Sequence, residues 1–217
     1  MVSTPYTVGD VMTRTVVAVE RDARFKEIVG AMKQWNVTAV PVVEGEGRVA
    51  GVVSEADLLP KEEFHDTEPE LIDQMRHPDD AAKAGAVRAG DLMTTPAITI
   101  RADATLPQAA RIMARQRIKR LPVVDADGTL QGILSRADLL KVFLRPDDDL
   151  AAEVRREVID RLFTVSRHGV RVDVTDGVVT LTGTVRDATL VPVAERLARA
   201  VEGVVEVNCR LTSIREP

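Results

Sequence analysis

The sequence has little cysteine, no excess of positive charge and no long apolar run, and each shortage excludes a class of protein. The single cysteine, Cys209, cannot form an internal disulfide and leaves too few ligands for most zinc sites. The net charge of −5 argues against a general nucleic-acid binder, which needs a basic surface. No window approaches the roughly 18 uninterrupted apolar residues of a membrane span, and the first residues lack the pattern of a signal peptide. We therefore expect a soluble, cytoplasmic protein that binds no nucleic acid.

The groups that carry catalysis or hold a metal do not form recognisable clusters. The three histidines, His65, His77 and His168, stand far apart and make no metal-ligand spacing. Neither a phosphate-binding Walker loop nor a nucleophile elbow is present. Cys209 falls on the inward period of an alternating segment, which favours a small buried side chain over a nucleophile. The sequence thus predicts a protein that is not an enzyme and holds no metal.

What the sequence does contain is an internal repeat. The segment GVVSEADLL at 51–59 returns as GILSRADLL at 132–140, and GDVMT at 9–13 returns as GDLMT at 90–94. The offset is constant, since 93 − 12, 122 − 41 and 138 − 57 all equal 81. No gap is needed between the copies, so the chain contains a duplicated structural unit.

Each copy predicts the same order of elements, β-α-β-β-α, and hence an α+β fold. The opening strands are predicted at Val16, Val17 and Val19, and at Ala97, Ile98 and Ile100. The helices that follow have apolar residues at helical spacing, namely Phe25, Ile28, Val29 and Met32, and Leu106, Ala109, Ala110 and Met113. Two further strands are joined by polar turns at 44–47 and 125–128. The last strand then runs into a helix through a Ser-x-x-Asp corner.

The two corners, Ser54 with Asp57 and Ser135 with Asp138, allow two interpretations. In a helix capping box the serine side chain accepts a backbone amide and the acid reaches back to the cap. In a ligand site the ionised carboxylate accepts both hydroxyls of a diol such as ribose, and free amides at the helix start suit a phosphate. The two roles compete for the aspartate, and the spacing alone does not decide between them.

These motifs resemble a tandem pair of CBS domains over residues 8–145. The resemblance rests on the Asp-hydrophobic-Met-Thr openings, the Pro-Val-Val strands and the strands that run from glycine into Ser-x-x-Asp-Leu-Leu. It implies that the two units pack as one module, that the module forms a homodimer, and that an adenine nucleotide (AMP, ADP or ATP) binds in the cleft between the units. The Ser and Asp of a corner would contact ribose and phosphate. The base would lie against the first strand, the segment before the proline and the residue two before the serine.

Carried over by position, these implied contacts fall on matching residues of the two copies. In the first copy they are Val17, Val37, Thr38, Val52, Ser54 and Asp57. In the second copy they are Ile98, Ile118, Lys119, Ile133, Ser135 and Asp138. The sequence does not determine which aspartate faces which adenine wall.

The copies differ in their charge near these positions. Lys119 and Arg120 stand before the second proline, where the first copy has Thr38 and Ala39, and Arg136 lies inside the second corner. These cations either neutralise a phosphate chain or serve as solubilising surface charge. The asymmetry favours one nucleotide site that binds phosphate better than the other.

After Pro146 the periodicity of the chain changes. Four apolar residues lie four apart on one helix face, namely Leu150, Val154, Val158 and Leu162. Two alternating apolar segments then flank Asp176-Gly177, which is the strongest short hairpin signal. A further helix and a last strand complete the order α-β-β-α-β.

This tail resembles a BON domain over residues 149–214. The matching segments are VTDGVVTLTGTV at 174–185 and VEGVVEV at 201–207. The resemblance implies contact with a protein partner or a phospholipid surface. We interpret Gly177 and Gly203 as turn residues. The hairpin strands alternate and so leave one apolar face, and that face is needed for the domain's own helices and not for a membrane surface.

The whole chain therefore predicts four segments. They are a first CBS unit at 1–59, a charged linker at 60–88 with a short helix at 70–76, a second CBS unit at 89–145 and a BON domain at 146–217. We expect a regulatory protein that senses an adenine nucleotide between its CBS units and relays occupancy through the BON domain. The alternative is a structural protein without a ligand, which dimerises through its CBS pair while the BON domain contacts the envelope or phospholipid.

Overall fold

The computed structural model describes residues 6–63, 83, 85–163 and 169–213. The helix predicted at 70–76 lies outside the described residues. The chain divides into two compact units, of which the first is Thr7–Asp138. The second comprises Leu139–Pro217 together with Tyr6.

The first copy of the repeat forms a three-stranded sheet with its helices. Its elements are the helix Val8–Val11, strand β1 (Val19–Glu20), the helix Phe25–Trp35, strands β2 (Ala39–Glu44) and β3 (Arg48–Ser54), and the short helices Glu55–Leu58 and Pro60–Glu63. Strand β1 pairs with β2 in parallel, and β2 pairs with β3 antiparallel. The long helix packs Ile28 and Met32 against Val40 and Val42 of the central strand, so the core lies between this helix and the sheet.

The second copy repeats this topology. Its elements are the helix Ala89–Leu92, strand β4 (Ile100–Arg101), the helix Leu106–Arg115, strands β5 (Arg120–Val124) and β6 (Leu130–Ser135), and the helix Arg136–Leu140. Strand β4 pairs with β5 in parallel, and β5 pairs with β6 antiparallel. The duplicated unit and the α+β class predicted from the sequence are confirmed.

The openings of the two copies differ from the prediction. Each copy begins with a four-residue helix that the apolar pattern did not indicate. Each first strand is only two residues long, because its parallel pairing covers only two positions of the central strand. Val17 and Ile98 therefore precede their strands instead of lying within them.

The long helix of each copy buries a narrower apolar stripe than its spacing predicts. The buried positions are Ile28, Met32, Leu106, Ala109 and Met113. Val29 and Ala110 are exposed, since each follows a buried residue and is rotated by a quarter-turn or more from it. Trp35, at the end of the first helix, is also exposed and does not belong to the core.

Two pairs of backbone hydrogen bonds join the copies in equivalent places. Val52 donates to the Thr94 carbonyl at 3.2 Å, and Thr94 donates back to the Val52 carbonyl at 2.9 Å. In the same way Thr13 and Ile133 exchange two hydrogen bonds of 2.9 Å. Since Thr13 and Thr94 are equivalent in the repeat, each copy lays its opening segment on the last strand of the other.

The repeated methionine and the repeated glycine also contact each other across the copies. A Cβ placed on Gly51 would lie 2.5 Å from the Met93 sulfur, and one placed on Gly132 would lie 2.6 Å from the Met12 sulfur. Both methionines are buried. Glycine is therefore required at these two positions because the methionine of the other copy occupies the space of a side chain.

The second unit has the order of elements predicted for the tail. After a 3₁₀ turn at Lys141–Leu144 it contains the helix Asp147–Val154, a π-helical segment at Arg155–Ile159, the helix Asp160–Leu162, strands β7 (Val170–Thr175) and β8 (Val178–Val185), the 3₁₀ turn Ala188–Leu190, the helix Val191–Arg199 and strand β9 (Glu206–Ser213). Strand β8 lies between antiparallel β7 and parallel β9. Cys209 is half-buried and packs against this unit's core.

The predicted hairpin turn and helix face of this unit are both present, with one change. Asp176 and Gly177 have φ of 51° and 73°, the positive values that a two-residue turn of this type requires. The π-helical segment inserts an extra residue into the helix, so Val158 and Ile159 are both buried. Leu162, predicted on the same face, is only half-buried.

None of the helices described here is long and apolar enough to cross a membrane.

Candidate functional site

A cavity of about 290 Å³ lies between the two copies of the repeat. The first copy contributes Thr38, Val52, Ser54 and Asp57 to its lining. The second copy contributes Ile98, Ile118, Lys119 and Arg120. The structure thus brings together eight of the residues that the sequence singled out.

The remaining predicted residues do not line this cavity; they are Val17, Val37, Ile133, Ser135, Arg136 and Asp138. Val17 and Val37 pack against the core of the first copy. Arg136 is exposed, and its Nε donates to the Ile118 carbonyl at 3.2 Å. It therefore contacts the segment that contains the lining residue Ile118 and does not itself line the cavity.

The structure also pairs one carboxylate corner with one apolar wall. Asp57, from the first copy, shares the cavity with Ile98 and Ile118 of the second. The pairing follows from the contact between the copies, because the hydrogen bonds between Val52 and Thr94 bring the opening of the second copy beside the first corner. This long-range arrangement is the information that the sequence lacked.

The two carboxylate oxygens of Asp57 have different hydrogen-bond partners. Its Oδ2 accepts from the Ser54 amide and from the Ser54 hydroxyl, each at 2.7 Å, which completes a capping box. Its Oδ1 accepts from the Thr94 hydroxyl at 3.3 Å and from the ammonium group of Lys83. The helix cap therefore uses one carboxylate oxygen, and the other faces groups outside the cap.

The amide that opens the following helix is not free, contrary to the expectation for a phosphate site. Glu55 N donates to the Thr38 carbonyl at 3.1 Å. The helix itself, Glu55–Leu58, is a single turn. A phosphate in this cavity must therefore be held chiefly by side chains.

The second corner is built in the same way. Asp138 Oδ2 accepts from the Ser135 amide at 2.8 Å and from the Ser135 hydroxyl at 2.7 Å. The Asp138 amide donates to the Ser135 hydroxyl at 3.2 Å. Asp57 and Asp138 are the buried charged side chains of the described core. In each corner one oxygen of this carboxylate caps the helix that follows.

Three cations from the second copy line the cavity. Lys119 and Arg120 were singled out by their positions before the proline, and Arg120 Nη1 donates to the Thr38 hydroxyl of the first copy. Arg117 was missed. Its backbone is left-handed, with φ of 54°, and the equivalent residue of the first copy, Asn36, has φ of 51°.

The sequence did carry a signal for Arg117. Asparagine often ends a helix in left-handed backbone, whereas arginine does so rarely. Aligning the copies at their offset of 81 places Arg117 opposite Asn36 at this position. An arginine in a conformation that suits asparagine is therefore a signal that could have made Arg117 a candidate site residue.

Six other lining residues were not predicted. Ala39, Glu55 and Ala56 belong to the first copy, and Thr94, Pro96 and Ala97 belong to the short opening of the second copy. Thr94 could have been found, since it ends the repeated GDxMT motif. Within the described ranges, no three His, Cys, Asp or Glu side chains lie close enough to hold a metal ion.

With this geometry the chain can be placed among known proteins. Residues 8–61 and 89–145 match the CBS domain family, and residues 146–214 match the BON domain family. The chain belongs to the CBS domain family, as a tandem pair of CBS domains followed by a BON domain.

Individual relatives share the CBS architecture at moderate identity. The chain is similar to the uncharacterized protein MJ1426 of Methanocaldococcus jannaschii, with 28% identity over 153 residues that cover 63% of this chain and 90% of that protein. It is also similar to the chloroplastic CBS domain-containing protein CBSX2 of Arabidopsis thaliana, with 32% identity over 154 residues. That match covers 64% of each protein, so it spans less than two thirds of CBSX2.

Solved structures show the same fold. The crystal structure of CBSX2 in complex with AMP has a TM-score of 0.57 and 32% identity, and the match covers 64% of this chain and 97% of that chain. The CBS domain pair of protein MJ0100, crystallised with 5′-methylthioadenosine and S-adenosyl-L-methionine, has a TM-score of 0.50. At 18% identity that pair shows a shared fold alone.

Proposed function

We propose that this chain is a regulatory, non-catalytic protein that binds one adenine nucleotide (AMP, ADP or ATP) in the cavity at Asp57. The observation that carries the proposal is the composition of this cavity. It combines an acceptor for ribose, Asp57, with an aliphatic wall at Ile98 and Ile118 and with a group of cations. AMP is the ligand in the crystal structure of CBSX2, which is 32% identical to this chain.

The base would lie among aliphatic side chains. Val52 of the first copy and Ile98 and Ile118 of the second supply apolar surface on the cavity wall. Ligand pockets usually have volumes of about 300–1,000 Å³. A cavity of about 290 Å³ is just below that range, which favours a mononucleotide over a dinucleotide.

The ribose and phosphate would occupy the polar part of the cavity. A ribose hydroxyl would donate to Asp57 Oδ1, the oxygen that the capping box leaves outside. The phosphate would be bound by Arg117, Lys119 and Arg120. Arginine can grip a phosphate through two parallel hydrogen bonds. The same cations disfavour S-adenosylmethionine, whose sulfonium group is positive.

The BON domain and a homodimer complete the proposed regulation. Arg145, the last residue of the second CBS segment, forms an ion pair with Glu153 at 2.6 Å and donates to the Glu202 carbonyl at 2.5 Å. This mostly buried contact lies within the second compact unit. We propose that the BON domain relays nucleotide occupancy to a protein or phospholipid partner, and that the CBS pair forms the dimer.

The test is calorimetric titration with AMP, ADP, ATP and S-adenosylmethionine on the wild type and on a matched pair of variants. Asp57→Asn should weaken AMP binding by about 30-fold, equivalent to about 2 kcal/mol for a hydrogen bond to a charged group. Asp138→Asn should leave AMP affinity within about threefold. Both variants change a capping carboxylate, which should cost about 1 kcal/mol of stability. Asp57→Asn should lose more than Asp138→Asn, because it also takes the charge partner from the largely buried Lys83 ammonium group.

The alternative function makes a different prediction. A structural protein whose aspartates only cap helices would show no saturable heat with any of these ligands, while both variants would be folded and less stable. Equal loss of AMP affinity in both variants would contradict the assignment of the site to the Asp57 corner.

A further inference from the structure

The charge partner of Asp57 comes from the segment between the two copies. The Lys83 ammonium group contacts Asp57 Oδ1. The two side chains are largely buried, with 16% of Lys83 and 11% of Asp57 exposed. This contact is therefore a shielded ion pair at the residue that the proposed function assigns to ribose.

Contacts other than the ion pair hold Lys83 near the first copy. The Lys83 carbonyl accepts from the Ala86 amide at 3.1 Å, and Ala86 is buried in the core of the first copy. The Ala86 carbonyl accepts from Lys61 Nζ at 3.0 Å. The Lys61 ammonium group also lies 5.4 Å from the centre of the Phe25 ring. These contacts hold the backbone at Lys83 close to the first copy.

Lys83 and a ribose would require the same acceptor. Asp57 Oδ2 already accepts two hydrogen bonds from Ser54. Oδ1 has two lone pairs, and these face the Thr94 hydroxyl and the Lys83 ammonium group. A ribose hydroxyl is also a donor, so it can reach this oxygen only where one of the present donors leaves.

We propose that Lys83 is an internal competitor of the ribose, so that nucleotide binding requires the ion pair between Lys83 and Asp57 to open. This inference rests on the proposed function, because it assigns a competitor to the same site. Thr94 is a lining residue of the cavity, whereas Lys83 belongs to the linker, so Lys83 is the donor that leaves. Occupancy of the cavity is then linked to whether the Lys83 side chain contacts Asp57.

A ligand that displaces Lys83 must offset the loss of its hydrogen bond to Asp57. A charge-assisted hydrogen bond from an ammonium group is stronger than a neutral one from a hydroxyl, so ribose alone is a poor replacement for Lys83. A phosphate adds contacts with Arg117, Lys119 and Arg120 that are independent of Asp57. The wild-type protein should consequently bind AMP measurably and adenosine weakly.

The experiment compares Lys83→Met with Lys33→Met by calorimetric titration with AMP and with adenosine. Methionine has similar length and no donor, and Lys33 is an exposed lysine of the helix Phe25–Trp35, so both variants lose the same charge. If the ion pair is closed in 80–90% of molecules, its removal raises affinity by about 5- to 10-fold. We expect this gain in Lys83→Met for AMP and adenosine alike, and no change beyond about twofold in Lys33→Met.

The outcomes separate the competitor from the proposed function. Wild-type binding of AMP with the same affinity in Lys83→Met overturns the competition and leaves the nucleotide site in place. Weaker AMP binding in Lys83→Met, with adenosine unchanged, makes Lys83 a phosphate contact and overturns it too. Saturable binding in neither wild type nor Lys83→Met, with both folded by thermal unfolding, overturns the proposed function itself. Lys83→Arg, which keeps a donor on Asp57, should bind AMP no better than the wild type.

Discussion

The two CBS copies have the same scaffold but different surroundings for their carboxylates. Both have the same strand order, the same capping box and the same methionine packed on a glycine of the other copy. Around the first corner stand three cations of the second copy, Arg117, Lys119 and Arg120. At the offset of 81, the positions that match them in the first copy hold Asn36, Thr38 and Ala39.

This difference shows which parts of a duplicated unit can change independently. Packing between the copies constrains glycine and methionine, because each fills space that belongs to the other. Arg117, Lys119 and Arg120 line the cavity and are not among the buried core residues, so the packing of the core constrains their identity little. A duplicated module can therefore keep two similar corners and still specialise one of them for an anion.

The largest effect should come from breaking the packing that the copies share. Gly132→Ala should lower the free energy of unfolding by about 2–3 kcal/mol, the cost of overpacking. Its new Cβ would lie 2.9 Å from the Thr13 carbonyl oxygen as well as 2.6 Å from the Met12 sulfur. That carbonyl accepts a hydrogen bond from Ile133 and cannot move without losing it. Chemical denaturation measures the loss.

Gly51→Ala provides the comparison. The three nearest atoms to its new Cβ all belong to the Met93 side chain, the closest being 2.5 Å away. Because a side chain can repack, this variant should lose about 1–2 kcal/mol. Shortening Met93 should relieve Gly51→Ala by more than shortening Met12 relieves Gly132→Ala. Equal coupling energies in the two double-mutant cycles would show that backbone and side-chain clashes cost the same here.

A smaller effect should follow from exchanging the residues at the helix ends. Arg117→Asn should weaken AMP binding by about tenfold, because one charge-assisted contact to the phosphate is lost. The same variant should be more stable by about 0.5–1 kcal/mol, since asparagine suits the left-handed backbone better. Titration with AMP and thermal unfolding measure the two changes.

The reverse exchange is the control for this prediction. Asn36→Arg introduces an arginine at φ of 51° in the first copy and should lower stability without changing AMP affinity. Unchanged affinity in Arg117→Asn would mean that Arg117 does not contact the phosphate. A loss of adenosine affinity as large as that of AMP would instead indicate a change in the cavity wall.

The scaffold could be predicted from the sequence because it is written locally and twice. Alternating segments, the helix spacing and the Asp176-Gly177 turn each depend on neighbouring residues. Within the CBS pair the constant offset also allowed each segment to be compared with its equivalent in the other copy. The four-residue opening helices could not be predicted, because so short a window contains too little periodicity. The lengths of the short first strands depend on how far β2 pairs with β1 and β5 pairs with β4.

The site was less predictable because its parts come from distant positions. Asp57 and Ile118 share a cavity only because the last strand of one copy meets the opening of the other. Arg136 was expected near phosphate from its place inside the second corner, but its side chain donates to the Ile118 carbonyl and does not line the cavity. Lys83 contacts a residue 26 positions away, and nothing in its local sequence indicates that partner.

The smallest difference concerns the caps of the opening helices. Asp10 Oδ2 accepts from the Thr7 amide at 2.7 Å and from the Thr7 hydroxyl at 2.8 Å. The backbone hydrogen bond first, and then the side-chain one, lower the pKa of Asp10 below its usual value. The equivalent positions of the second copy are Arg88 and Asp91, and the Arg88 side chain makes no capping hydrogen bond.

Asp10→Asn should therefore lower the free energy of unfolding at pH 7 by about 0.5 kcal/mol, the low end of a cap substitution at an exposed site. The folded-state pKa of Asp10 is lower than the unfolded one, so this stability is present in full above the unfolded pKa of about 3.9. It is lost as the pH falls through the folded pKa. Urea unfolding from pH 7 down to about pH 2.5 should show the wild type and Asp10→Asn converging, whereas Asp91→Asn should differ little from the wild type throughout. A pH-independent gap for Asp10→Asn would assign its effect to lost packing, and an equal loss in Asp91→Asn would mean that the two caps do not differ.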